Sequence, residues 1–266
     1  MSNSESKYDR IGLGYNNTRK ADDYLTSRLL HHLNPEKSKS YLDIGCGTGN
    51  YTIALHKKGF RLVGLDPSDR MLKVAKTQCN AIEWKKGTAE DTGFPDEYFD
   101  GVTASLTLHH WEDFKRGFKE LFRVMKSGAR LVIFTSTPEQ MKGYWLNHYF
   151  PKMMARSIAQ MPGLDLVQNA LNEAGLETVG TEKYFIKSDL MDKFLYYGKE
   201  DPELYFDEEI RKGISSFAAL GNRDEVEQGL TKLRKDIDSG EIEKVIESYK
   251  NNHGDYLYVI ARKPSE

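Results

Sequence analysis

The chain has 266 residues, 39% of them hydrophobic and 29% charged, with a formal net charge of -2; this is room for one sizeable domain with an appendage, or two small ones, of ordinary globular composition. The near-neutral balance excludes the basic excess that a large nucleic-acid partner calls for, no acidic tail is present, and no apolar run approaches a membrane span or the core of a signal peptide. Two cysteines, Cys46 and Cys79, do not make a disulfide framework, so a reducing, cytoplasmic setting is expected.

Residues 1–6 read as disordered, and 8–19, from Tyr8 through Tyr15 to Arg19, as a Gly- and Asn-rich loop. A helix is expected over about 20–33, with Tyr24, Leu25, Leu29, Leu30 and Leu33 on one face and Asn34-Pro35 as its stop. Residues 40–44 then read as a buried strand running into Asp43-Ile44-Gly45-Cys46-Gly47-Thr48-Gly49, with a helix following from about Asn50. Glycines at alternate positions let the backbone turn sharply and let a ligand approach where a Cβ would collide. The helix beyond them points free N–H groups and its positive end at that space. A second strand, 61–65, ends in Asp66-Pro67-Ser68, and a helix over 69–78 carries Met71, Leu72 and Ala75. An acid at that strand end is placed to take both hydroxyls of a ribose, since a carboxylate only accepts and hydroxyls donate. Short strands follow at 81–87 and 99–105, then an amphipathic helix over 112–126 that Ser127-Gly128 ends, then a strand at 130–135. This regular alternation argues a doubly wound parallel sheet.

The spacing narrows the nucleotide. A dinucleotide fingerprint would need glycine where Asn50 stands, which speaks against a nicotinamide oxidoreductase, and the Gly-Lys-Ser/Thr of a phosphate-binding loop is missing. Asp-x-Gly-x-Gly-x-Gly resembles the first motif of the class I S-adenosylmethionine-dependent methyltransferases, closest to their small-molecule, ubiquinone-methyltransferase-like (type 11) branch. Ser105-Leu106-Thr107-Leu108-His109-His110-Trp111 is similar to that family's fourth motif. The resemblance covers 41–135 with specific motifs, and 8–30 and 164–186 more weakly. It implies a Rossmann-like seven-stranded sheet whose last strand, 255–261, inserts antiparallel between the fifth and sixth. The implied division is a core of 1–187 plus 251–266, with 188–250 as a helical lid over the carboxyl edge.

The same resemblance places S-adenosylmethionine against Asp43, Gly45, Cys46, Gly47, Thr48 and Gly49 of the turn. It adds Asp66, Pro67 and Ser68 after the second strand, Met71 beside the adenine, Ala89 and Glu90 at the adenine edge, and Ser105 and Leu106 at the fourth strand's end. Tyr15 and Arg19 match an element that folds over the methionine end of the cofactor, where Arg19 would pair with its carboxylate. His109 and His110 are the candidates for a general base, with packing or positioning as the alternative role.

The acceptor is less legible. Tyr8, together with Tyr144, Trp145, His148 and Tyr149 from a stretch, 139–161, rich in aromatics and methionine, reads either as an acceptor wall or as helix core. Pro151 is expected to split or kink the helix there. No Asn/Asp-Pro-Pro-Tyr/Phe sequence of base amino-methylases follows the fourth strand, two cysteines are few for arsenite chemistry, and no clustered acids suggest a catechol-type magnesium site. The expected function is transfer of a methyl group to O, N or C of a small molecule, with a non-catalytic scaffold or sensor for the same cofactor as the alternative. The oligomeric state is not readable.

Overall fold

The computed structural model describes residues 18–265, so the expected disorder of 1–6, and Tyr8 and Tyr15, lie outside the described residues. Helix α1 (Asp23–Leu33) begins where the Asp22 carboxylate accepts the Leu25 N–H at 2.8 Å, and it buries Leu25, Leu29 and Leu33 along one stripe. It ends at Asn34, whose φ of 48° turns the chain left-handed just before Pro35. There follow β1 (Ser40–Ile44), α2 (Asn50–Lys57), β2 (Arg61–Asp66), α3 (Asp69–Gln78), β3 (Glu83–Lys86) and β4 (Phe99–Ser105). Next come a short 3-10 turn (Leu108–His110), α4 (Phe114–Val124) and β5 (Met125–Thr135).

The sheet has seven strands in the order β3-β2-β1-β4-β5-β7-β6, where β6 is Glu177–Tyr184 and β7 is Tyr256–Arg262. All pairs are parallel except those of β7, which runs antiparallel between β5 and β6 as expected. Side chains alternate between two cores. Leu131 and Ile133 join Leu42, Ile44 and Val102 under α4 and α8 (Leu164–Glu173). Val132 and Phe134 join α1 and the helices after β5.

One expectation is corrected, the start of strand five, and one is met, the split at Pro151. Strand five starts at Met125, because Met125 pairs with Phe99 and the chain leaves the helix after Val124. Gly128, at φ +77°, then kinks the strand and donates its N–H to the Lys263 carbonyl at 3.0 Å, where the register against β4 shifts. The stretch after β5 is three short helices, α5 (Pro138–Lys142), α6 (Leu146–Tyr149) and α7 (Pro151–Ala159), with Pro151 at the first position of the third.

Between β6 and β7 the chain forms two 3-10 turns, α9 (Glu208–Gly213), a π-helical turn (Ser216–Leu220), α10 (Arg223–Ser239) and α11 (Glu241–Ser248). Phe194, Tyr205, Ile214 and Phe217 from this segment pack with Tyr144, Trp145, Phe150 and Met153. Among the described residues no helix is long and apolar enough to cross a membrane.

Candidate active site

The carboxyl ends of β1, β2 and β4 open into a cavity of about 730 Å³. It lies where the strand order reverses between β1 and β4, the place where doubly wound sheets leave a crevice. The glycine turn is its floor. The Gly45 and Cys46 N–H groups both donate to the Leu65 carbonyl, at 2.8 and 3.1 Å, which ties the turn to the end of β2. The Gly47 N–H donates to Asp66 Oδ2 at 2.9 Å. Gly45 and Gly47 both have positive φ, 67° and 54°, but for different reasons of space. A Cβ on Gly45 would stand 1.9 Å from Thr107 Oγ1, whereas one on the cavity-lining Gly47 would meet no atom of the described residues within 4 Å. Gly45 is needed by the protein's own packing; at Gly47 the space is left for something else.

The two acids of this floor differ in kind. Asp43 is buried and accepts from the hydroxyls of Thr52, at 2.5 Å, and Thr103, at 2.9 Å. Burial pushes its carboxyl up to about 6, against the lowering effect of those two hydroxyls. It clamps α2 and β4 to β1 beneath the turn. Asp66, the last residue of β2, takes the Gly47 N–H on one oxygen and the Ser68 N–H on the other, at 2.9 Å each. Asp66 also lines the cavity, as a group that only accepts hydrogen bonds. Burial, helped by Asp43 and Asp66, holds the Cys46 thiol well above its ordinary range, so it stays protonated.

Pro67 and Met71 line the cavity from the start of α3. Ser68 does not; its side chain caps α3 at the Met71 N–H and its backbone holds Asp66. Gly49 is likewise off the lining and serves as the N-cap of α2. A bridge between Thr88 and Asp91 pinches the next loop, so that Ala89 and Glu90 form its tip against the cavity. The Glu90 carboxylate accepts the Asp113 N–H at 3.0 Å, which ties that tip to the start of α4. Thr48 and Ser105 also line the cavity, and both hydroxyl oxygens are buried with no hydrogen-bond partner among the described residues.

The opposite wall is the end of β4. Leu106 holds a φ of +53°, a conformation that leucine rarely adopts, and its N–H donates to the Phe134 carbonyl at 2.8 Å. The strained residue turns the chain into the short 3-10 turn, and His109 and His110 both reach the cavity with ring centroids 3.8 Å apart. Arg19 lines the cavity too, and its guanidinium pairs with Asp192, Nε to Oδ1 at 2.5 Å and Nη2 to Oδ2 at 3.2 Å. Tyr51 adds a hydroxyl to the same carboxylate at 3.1 Å. The acid that meets Arg19 thus comes from the segment between β6 and β7. Sequence reasoning passed over Asp192 and Tyr51 because their meeting depends on contacts spanning 173 and 141 positions.

A second chamber of about 90 Å³ adjoins the first. Arg19, Leu106, His109, His110 and Gln160 line both. Of the two readings of the aromatic stretch, the structure matches helix core for Tyr144, Trp145 and Tyr149. Tyr144, Trp145 and Tyr149 are buried in the core beneath the helices, with Tyr144 stacked on Tyr196 at 3.9 Å and the Trp145 indole donating to the Lys199 carbonyl. His148 lies beside Asp236, away from both chambers. The walls come instead from Met141, Ser157 and Met161 on one side and from Phe194, Leu195 and the π-helical turn on the other.

Comparison with known proteins agrees with this geometry. A family described as "Methyltransferase domain" matches residues 42–133, from β1 to β5. A demethylmenaquinone methyltransferase of Bacillus cereus (strain AH187) is 30% identical over 171 residues, which is 54% of this chain and 72% of the relative. One of the same name from Lysinibacillus sphaericus (strain C3-41) is 29% identical over 180 residues, 58% of this chain and 77% of that one. Among solved structures, a candidate methyltransferase from an antibiotic biosynthesis pathway of Anabaena variabilis ATCC 29413 superposes with a TM-score of 0.81 at 33% identity, covering 91% of this chain and 98% of its own.

Proposed function

The chain belongs to the S-adenosylmethionine-dependent methyltransferases, and from that premise we propose that its larger cavity seats S-adenosylmethionine and that the methyl group leaves toward the junction of the two chambers, where the small-molecule acceptor is held. The observation that carries the cofactor placement is the pairing of Gly47 with Asp66: a glycine whose missing Cβ opens into a cavity, held by the very carboxylate that faces it. The cavity volume, about 730 Å³, falls in the usual range of roughly 300–1,000 Å³ for small-ligand sites. The unmatched Thr48 and Ser105 hydroxyls are the kind of buried polar group that a ligand is there to satisfy.

In this reading Asp66 accepts the ribose hydroxyls, and the turn from Gly45 to Thr48 lies under the methionine end. Pro67, Met71, Ala89 and Glu90 flank the adenine. Asp43, Gly49 and Ser68 act one step back, by holding the turn and Asp66 in place. Arg19 pins the segment after β6 over the cavity through Asp192. When bound, the cofactor supplies a methyl group already activated by a positive sulfur, so the protein's work is alignment and exclusion of water. Leu106, His109 and His110 would align the acceptor, and one of the histidines would take its proton if it carries one.

The test is formation of S-adenosylhomocysteine on a panel of neutral and charged small acceptors, followed by His109→Gln and His110→Gln. If a histidine is the base, one substitution lowers turnover by about 100-fold while cofactor affinity stays within a factor of two. Unchanged turnover in both variants removes that role and leaves positioning.

A further inference from the structure

We infer that the second chamber is the acceptor site and that it selects a compact, uncharged acceptor bearing two polar groups on an apolar frame, one presented at the chamber junction and the other anchored by Ser157. The inference rests on the methyltransferase reading and goes beyond it in naming the acceptor class and the residue that reads it.

Three observations carry it. The first is charge. Among the described residues no Asp, Glu or Lys lines the chamber; Arg19 does, facing the Asp192 carboxylate, together with His109 and His110. An ammonium on the acceptor would meet no carboxylate of the described lining, and a carboxylate would have to compete with Asp192 for Arg19, both of which are costly. The second is an unmet hydroxyl. Ser157, 5% exposed, lies on α7 and lines this chamber but not the larger one. Its Oγ is buried with no hydrogen-bond partner among the described residues, although a helical serine can ordinarily bond a carbonyl one turn back. Ser136, the neighbouring hydroxyl on the chamber wall, is by contrast engaged with Tyr144 and the Asp255 carbonyl. Ser215, Ser216 and Tyr256 also line the chamber, and Ser157 is the hydroxyl of this lining that is buried with no partner among the described residues.

The third is shape. The chamber is about 90 Å³, smaller than the roughly 150 Å³ cavity that seats benzene in a dry core. It takes one end of a small molecule, while the rest projects past Leu106, His109 and His110. Its far side is the π-helical turn Ser216–Leu220, closed by the Gly221 N–H on the Ser216 carbonyl and tied to α7 by Arg156 on the Leu220 carbonyl at 2.9 Å. Such turns recur at functional sites because they displace side chains from regular helical positions. The nucleophile then lies at the junction, and the second polar group, a hydroxyl or carbonyl, meets Ser157.

The experiment uses the full chain saturated with S-adenosylhomocysteine and three probes: 4-hydroxybenzyl alcohol, p-cresol, which lacks the second polar group, and 4-hydroxybenzoate, which makes it an anion. Binding is read by ligand-observed NMR titration. The expected result is that 4-hydroxybenzyl alcohol binds about fivefold to tenfold tighter than p-cresol and that Ser157→Ala erases this difference. Binding of 4-hydroxybenzoate is expected to be weaker still, and Leu220→Trp, at the partly exposed rim, blocks all three probes while leaving S-adenosylhomocysteine affinity unchanged. Equal binding of the anion, a preference for the alcohol that survives Ser157→Ala, or failure of the intact protein to bind the alcohol overturns the inference. Failure to bind S-adenosylhomocysteine at the outset overturns the methyltransferase reading and the inference with it.

Discussion

Gly45 and Gly47 show how neighbouring residues of one motif answer to different demands. Gly47→Ala adds a methyl group where no atom of the described residues stands, so its expected stability cost is that of the left-handed backbone, about 1 kcal/mol. Its effect on S-adenosylmethionine affinity is expected to be much larger, a loss of tenfold or more. Gly45→Ala drives a Cβ into the Thr107 side chain and is expected to cost about 3 kcal/mol from overpacking and strain together. Denaturant melts paired with cofactor titrations separate the two; a Gly47→Ala protein that binds normally would show that the open space has no cofactor in it. Asp43 has a different signature. Its carboxyl titrates near 6 in the fold against 3.8 for an ordinary one, so between these values the folded chain binds more protons than the unfolded one. Stability contributed by the protonated form is complete below about pH 4 and is lost as pH rises toward 6, by about 3 kcal/mol. Asp43→Asn is expected to remove that decline from a series of melts between pH 4 and 7, and an unchanged slope would mean that Asp43 is already ionised throughout.

At the scale of elements, the joint between Arg19 and Asp192 couples the start of α1 to the segment between β6 and β7. Lys193 donates its N–H to the Thr18 carbonyl at 3.2 Å, and the Met191 N–H reaches Asp22 Oδ2 at 3.0 Å, so three contacts fasten the same seam. Asp192→Asn leaves the Arg19 charge largely buried and is expected to cost about 3 kcal/mol. Faster amide exchange is expected over 190–221, with β1 and β2 unaffected. Exchange that rises evenly through the sheet would show that the seam is not a separate unit. These elements also mark the limit of what the sequence makes legible. The βα units from 40 to 135 follow from local signals, namely the glycine spacing, Asp66 at a strand end, and apolar runs bounded by turns, whereas the place of the last strand in the sheet is implied by the family resemblance. Met125 as the start of β5 does not follow from local signals, since it depends on pairing with Phe99. The walls of the smaller chamber do not either. Tyr144 and Trp145 have the composition of a pocket lining, yet the segment that buries them, including Tyr196 and Tyr205, comes some fifty to sixty residues later.

Over the whole molecule, two adjoining chambers are built in different ways. The sheet and its tight turns build most of the larger one from residues close in sequence, on rigid strand ends. The helices after β5 and the segment before β7 build the smaller one from residues far apart. A ligand that bridges these parts stabilises the whole chain, by about 2.7 kcal/mol at a hundredfold excess over its dissociation constant. The central claim is that the pocket at Gly47 and Asp66 binds S-adenosylmethionine. Calorimetric titration of S-adenosylmethionine and S-adenosylhomocysteine into the intact chain and into Asp66→Ala tests it most directly. The account predicts micromolar binding of both ligands to the intact protein, weakened about 30-fold or more in the variant, as the loss of hydrogen bonds to a charged acceptor implies. Absence of binding to the intact chain, or equal binding to the two proteins, would contradict it.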